Sequence, residues 1–278
     1  KEKKKRQLAI DLGTNAEIIL NDQGKLSVCS TAAGPAFEGK GVDCGMTAKA
    51  GAINGVRIAV QNGNMILEVL ESDRPKGICG TGLVDLLAQL RKSKVLREDG
   101  YLISKEEALA EGISEQIAKQ LVIKNQENIF ILTRQGQKEI YLSQSDIRNL
   151  QLAKGAIQAG VRTLLQTCNL SLTQVDEIVI TGVLGSCMKV SNALEIGLFP
   201  DVEKEKLHFV KNAAGTGAVQ LLLNTEIAKE WEQKAKEILL EKLEEMAEVT
   251  PDTYGDLQGY AVLCSAMADV YNAIVQNP

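Results

Sequence analysis

Two apolar runs, LAIDL (8–12) and AEIIL (16–20), stand three residues apart. A linker this short allows only an antiparallel return, so the runs read as strands joined by Gly13-Thr14-Asn15. A third run, LSVCS (26–30), follows the turn Asn21-Asp22-Gln23-Gly24. The segment is therefore expected to form a three-stranded meander whose first turn is DLGTN (11–15). Asp, Gly, Thr and Asn are ordinary turn residues, and they are also the residues that grip a phosphate.

The rest of the chain mixes strands with helices. GVRIAV (55–60) and MILEVL (65–70) flank an Asn-Gly pair, a hairpin signal. From Leu83, apolar residues at 83, 84, 86, 87 and 90 form one helical stripe. Residues 106–119 predict a helix weakened by Gly112, and IFILT (129–133) with EIYLS (139–143) a further strand pair. A long helix is expected from Ser145 to about Cys168, with Asp146 in its first turn. Gly155 and Gly160 inside it are positions that permit close packing. DEIVITGV reads as a strand ending at Gly182. A short helix closed by Gly197, the strand LHFV and a small-residue helix in NAAGTGAVQLLLN follow. A polar helix over Thr225–Met246 and a last strand at 259–265 complete the order. Such a mixture, with glycine at strand ends, is an α/β pattern.

Composition removes several classes of function. Apolar residues make up 45% and charged residues 24% of the 278, enough to bury a sizeable core. Aromatics are 4% and net charge is −5, so neither base-stacking platforms nor a basic face is expected, and no nucleic-acid partner. The lysine-rich residues 1–6 read as a charged tail or linker, and no apolar stretch approaches a membrane span. The six cysteines include no C-x-x-C, and His208 is the one histidine. Zinc sites, iron–sulfur clusters and Ser-His-Asp chemistry lack their ligands. The cysteines read as core thiols of a reducing, cytoplasmic protein.

Four segments carry residues suited to chemistry. In DLGTN, Asp11 ends a strand, Gly13 leaves the backbone open, and the N–H groups of Gly13, Thr14 and Asn15 suit an anion nest. Asp11 is then the catalytic candidate, holding Mg²⁺ through water or orienting an attacking water. In ITGVLGS (180–186), Gly182 and Gly185, with Ser186, end a strand where a flat nucleoside can approach; a tight strand-to-helix turn accounts for them equally well. In GICGTGLVD (77–85), Gly80, Thr81 and Gly82 open a helix whose free N–H groups suit a nucleotide, or serve only as a helix entry. In CSTAAGPAFEGKG (29–41), Glu38 reads as a capping or surface carboxylate.

Six segments in order, DLGTNAEI, CSTAAGPAFEG, GICGTGLVDLLAQL, DIRNLQLAKGAIQAG, NALEIGLFP and NAAGTGA, resemble the C-terminal domain of the reductive activators of corrinoid enzymes. The likeness runs from Gln7 to Pro278 and implies a lobe of the acetate and sugar kinase, heat-shock chaperone and actin superfamily. The expected fold is α/β: an actin-like, ribonuclease-H-like lobe with a mixed sheet, an N-terminal β-meander, flanking helices and a helical/hairpin insertion at about 83–143. By this resemblance DLGTN is the second phosphate motif, ITGVLGS the adenosine motif, and KNAAGTGAVQ (211–220) a helix that connects lobes. The family's adenosine segment reads closer to A-G-A-F-G, and glycine often stands where this chain has Lys211. A second D-x-G-T segment and the family's ferredoxin cysteines are not in the sequence. The chain thus reads as the second lobe of an ATP cleft.

The resemblance implies ATP and Mg²⁺ as ligands, with no iron–sulfur ligands of its own. It implies a corrinoid protein of a methyltransferase system as partner and restoration of inactive Co(II) corrinoid as the purpose. ATP hydrolysis is expected in the full-length protein and to be weak in this chain alone. The other readings are a non-catalytic domain that docks the corrinoid protein or forms a homodimer, and a kinase-like phosphotransferase.

Overall fold

A computed structural model describes residues 5–136, 138–182 and 188–247. Its centre is a five-stranded sheet. Strands β1 (Arg6–Leu12), β2 (Ala16–Asp22) and β3 (Lys25–Thr31) form the expected meander, each antiparallel to the next. After a 3₁₀ turn at Pro35–Glu38 the chain leaves this sheet and builds a separate region. That region contains β4 (Ala52–Ile58), β5 (Met65–Val69), β6 (Gly77–Ile78), α1 (Gly80–Lys92), α2 (Lys105–Ala110), α3 (Glu115–Ala118), β7 (Leu121–Lys124), β8 (Glu127–Gln135) and β9 (Lys138–Ser143). The strands pair as two three-stranded sheets, β5-β4-β6 and β7-β8-β9.

Helix α4 (Gln144–Thr167) returns the chain to the central sheet. There β10 (Glu177–Thr181) pairs parallel with β1, and β11 (Leu207–Phe209) parallel with β10. Helix α5 (Val190–Glu195) lies between them in sequence; α6 (Ala213–Leu223) and α7 (Thr225–Ala247) follow. The order β3-β2-β1-β10-β11, with β2 alone antiparallel, is that of an actin-like lobe. The expected last strand at 259–265 lies outside the described residues.

Period-two burial makes one face of the sheet apolar: Leu8, Ile10, Ile18, Leu20, Ile178 and Ile180 are fully buried. Helix α4 packs there. A Cβ on its Gly160 would come within 2.3 Å of Thr31 and 2.7 Å of Ile18, so glycine sets the helix-to-sheet distance. Gly155, on the same helix, faces open space.

Three elements differ from the sequence reading. Helix α4 starts one residue early, at Gln144, because Ser143 and Asp146 form a reciprocal capping box with Ser143 as the cap. The helix expected over 106–119 is two short ones, because Gly112 adopts φ 74° and Ser104 and Ser114 each cap a separate start. Strand β7 was not foreseen, since LVIK is too short to show alternation, and neither was the two-residue β6.

The two glycines of α4 should separate in a denaturation experiment. Gly155→Ala is expected to stabilise by about 0.5–1 kcal/mol through backbone entropy. Gly160→Leu is expected to destabilise by at least 1–3 kcal/mol (roughly), through overpacking against β2 and β3. Urea midpoints of the two variants against wild type measure both.

Candidate functional site

The carboxyl ends of β1 and β10 lie side by side. Their parallel register ends at Asp11 opposite Thr181. The next residue, Gly182, turns at φ 91°, which itself favours glycine. A Cβ there would stand 2.4 Å from the Leu12 carbonyl oxygen, 2.7 Å from the Leu12 nitrogen and 2.6 Å from the Asp11 Oδ1. The strand-end glycine and the candidate catalytic carboxylate are thus in direct contact. Glycine is needed at 182 because the two backbones touch there.

Asp11 is half-buried, and burial alone pushes its carboxyl above the ordinary value of 3.8. Among the described residues no donor hydrogen-bonds its side chain. Its antiparallel register partner is Glu17, also raised, by burial first and then by the Asp11 charge. Like charges directly across a strand pair repel. The pair therefore presents uncompensated negative charge beside an open turn.

The turn itself is only partly the nest expected. The Gly13 N–H donates to the Asn15 carbonyl at 2.9 Å, so it points inward. The N–H groups of Thr14 and Asn15 have no acceptor among the described residues. The Thr14 hydroxyl donates to Glu38 Oε1 at 2.6 Å, which draws the Glu38 carboxyl below its ordinary value, and Lys40 pairs with the same carboxylate at 3.3 Å. Glu38, read as a surface carboxylate, is instead the clamp of the turn. Packing does not demand Gly13: a Cβ there would make only an ordinary 3.4 Å contact with Asn15. What glycine supplies at 13 is exposed backbone.

GICGTG has a different balance. A Cβ on Gly82 would lie 2.1 Å from the Ile53 carbonyl, and Gly80 and Gly82 are buried. Gly82 seats α1 on β4. Thr81 alone of the three keeps a partly exposed side chain, 3.4 Å from the Cys79 sulfur. No hydrogen bond among the described residues joins this segment to DLGTN. Gly185 and Ser186 lie outside the described residues.

Helix α6 begins at the same sheet edge. The Thr181 hydroxyl accepts from the Ala213 N–H at 2.9 Å, and the Asn212 side chain accepts from the Gly215 N–H at 3.1 Å. Sequence reasoning missed Thr181, whose signal was a polar residue at the end of an apolar strand. The helix carries apolar side chains yet buries none: Leu222 and Leu223 are 79% and 82% exposed.

The fold that carries this junction matches a known architecture. A family profile described as the C-terminal domain of RACo, the ASKHA domain, matches residues 5–251. The chain belongs to this RACo C-terminal ASKHA family. Among curated proteins it is 36% identical over 229 residues to the corrinoid activation enzyme RamQ of Eubacterium limosum, covering 81% of this chain and 38% of that protein. It is 24% identical over 222 residues to the [Co(II) methylated amine-specific corrinoid protein] reductase of Methanosarcina barkeri, covering 73% of this chain and 36% of that one. A solved reductive activator for corrinoid, iron–sulfur protein superposes with TM-score 0.72 at 33% identity, covering 83% of this chain and 36% of that chain. The chain spans less than two-fifths of the length of these relatives. Membership of the ASKHA family implies nucleotide binding. Among the described residues no helix is long and apolar enough to cross a membrane.

The raised carboxyl of Asp11 gives a signed pH dependence. The folded state holds this proton more tightly than the unfolded state, so folding is favoured below pH about 3.8 and loses that contribution as pH rises through the folded-state value. Asp11→Asn is expected to melt above wild type at pH 7 in the absence of ligand, with the difference vanishing below pH about 3.8. Thermal melts across that range measure it.

Proposed function

We propose that this chain is the ATP-binding lobe of a reductive activator, one that restores inactive Co(II) corrinoid proteins to the methyl-transfer cycle. Family membership and the printed functions of the relatives support the reading. The observation that carries it is the contact of Gly182 with Asp11, because it joins the DLGTN turn to a strand-end glycine at the carboxyl ends of two neighbouring strands.

The residues fit Mg²⁺ and a triphosphate. Mg²⁺ keeps several waters and takes one or two protein carboxylates with substrate phosphates, and no cluster of three or more metal-ligating side chains exists among the described residues. Asp11, half-buried with no donor and facing Glu17, is such a carboxylate. When bound, the ion would supply charge neutralisation for both the phosphates and this acidic pair. The N–H groups of Thr14 and Asn15 would hold phosphate oxygens, and Glu38 would fix the turn by holding the Thr14 hydroxyl. Gly182 would let the nucleoside lie against the backbone. Gly82 would act at one remove, seating α1 so that Thr81 stands at its N-terminus beside Gly80, and Gly185 and Ser186 would extend the nucleoside side.

Energy coupling in the full-length protein would follow from differential nucleotide affinity for open and closed arrangements of two lobes. Helix α6 supports this division of labour, since its exposed Val219, Leu222 and Leu223 offer an apolar contact for a body beyond the described residues. The same face favours the second reading, a domain that docks the corrinoid protein or a second copy.

Titration calorimetry with ATP and Mg²⁺ tests the first reading. Wild type is expected to bind, and Asp11→Ala and Gly182→Val to lose at least about tenfold in affinity, or 1.4 kcal/mol. Steady-state turnover by this chain alone is expected to be slow. No binding by wild type, with Leu222→Asp abolishing capture of the corrinoid protein, would establish the docking reading instead.

A further inference from the structure

Ile147, Leu150, Gln151 and Lys154 fall at i, i+3, i+4 and i+7 along α4, so they share one face of that helix. Leu87 and Arg91 repeat the i, i+4 spacing on α1. These two faces, with Phe37 of the 3₁₀ turn, Leu96 of the loop after α1 and the end of α5, line a cavity of about 250 Å³. Its apolar wall consists of Phe37, Leu87, Leu96, Ile147 and Leu150, each at most 8% exposed. No lining residue belongs to the DLGTN turn or to the strand end at Gly182.

The walls are tied together by hydrogen bonds of the protein itself. Helix α5 is under two turns long and has little stability of its own. It is held from both sides. The buried Asp85 of α1 accepts from Lys189 Nζ and, at 2.7 Å, from Asn192 Nδ2. From α4, Lys154 Nζ donates to the Ile196 carbonyl at 3.0 Å and Gln158 Nε2 to the Gly197 carbonyl at 3.1 Å. The loop after α1 is fastened to α4 as well, because Gln151 Nε2 and Arg148 Nη1 both donate to the Asp99 carbonyl, at 2.9 and 2.8 Å. Small molecules bind in cavities whose walls are set beforehand in this way.

The polar side of the cavity is cationic. Lys154 is half-buried, and its ammonium has three donors, of which the Ile196 carbonyl takes one. Among the described residues no carboxylate pairs with it. Burial first, and then the charge of Arg91, hold its amine below the ordinary value of 10.5. Arg91 has Glu98 at 3.3 Å, but that side chain is 94% exposed and the pair is weak. Arg97 turns to Glu107 and Glu111, and Glu195 is exposed. We propose that this cavity binds a small organic acid, with its carboxylate at Lys154 and Arg91 and a short hydrocarbon tail against the apolar wall. The carboxylate gives the unused donors of Lys154 a charged acceptor, and the tail covers side chains that are otherwise buried. The volume is below the roughly 300–1,000 Å³ of drug-sized sites, which limits the tail to a few carbons. The proposal stands apart from the nucleotide reading, because the two sites share no residue.

Hexanoate, titrated into the chain and followed by backbone amide shifts, tests this. Wild type is expected to bind with Kd of about 1 mM or tighter, with the shifts centred on the lining segments of α1, α4 and α5 and the loop after α1. Acetate, which lacks the tail, is expected to bind at least about tenfold more weakly, and hexylamine, with a similar tail and the opposite charge, not at all. Arg91→Met and Lys154→Met are each expected to cost hexanoate at least about tenfold in affinity. Arg91→Met keeps the test readable if Lys154→Met misfolds, since the one ion pair it removes is the exposed one with Glu98. No hexanoate binding by wild type up to about 10 mM overturns the proposal. So do hexylamine binding as tight as that of hexanoate, acetate or inorganic phosphate binding as tight as hexanoate, shifts centred elsewhere, or hexanoate affinity that Arg91→Met leaves intact.

Discussion

The parallel pairing of β1 with β10 brings two backbones together at their carboxyl ends, and Gly182 meets Asp11 and Leu12 with no room for a Cβ. Most of the site depends on this contact. It sets the end of β10, so that Thr181 beside it can cap α6. It also buries one side of Asp11 without offering a hydrogen bond, which leaves a carboxylate whose ionised form is poorly solvated. That arrangement costs the ligand-free fold some stability at neutral pH. A site that receives a cation and phosphates has a use for it.

Around this junction the chain holds its parts with short, directional interactions. Glu38 comes from the 3₁₀ turn after the meander and reaches the Thr14 hydroxyl of the first turn. The capping box of Ser143 and Asp146 starts α4, and the second oxygen of the Asp146 carboxylate accepts from the Asp43 N–H at 2.9 Å, tying the separate region to that helix. Asp85 plays the corresponding part between α1 and α5. Each is a carboxylate with more than one partner, the condition under which a buried or half-buried charge is tolerated.

The meander, both hairpins and the long helix were legible because each rests on local periodicity and turn chemistry. DLGTN was legible as a turn, and the reading of it as a phosphate grip came from the company of five other segments. Glu38 and Thr181 were not legible, because their partners lie 24 and 32 residues away. Asp85 was not legible either. It falls opposite the apolar stripe of its helix, with Thr81, Gln89 and Lys92, where a solvated carboxylate is the ordinary expectation, and its burial follows from the packing of α5. The glycines of GICGTG divide only in three dimensions, Gly82 being required by the Ile53 carbonyl and Thr81 keeping an open face.

The sequence by itself determined the elements, the α/β class and the family, because strand alternation, helix stripes and turn residues act over a few neighbours. Tertiary structure decided which glycines packing requires and which it does not, and which carboxylates are clamps and which has no donor among the described residues. Those distinctions depend on which atoms approach within about 3 Å from remote parts of the chain, a distance that no local pattern encodes.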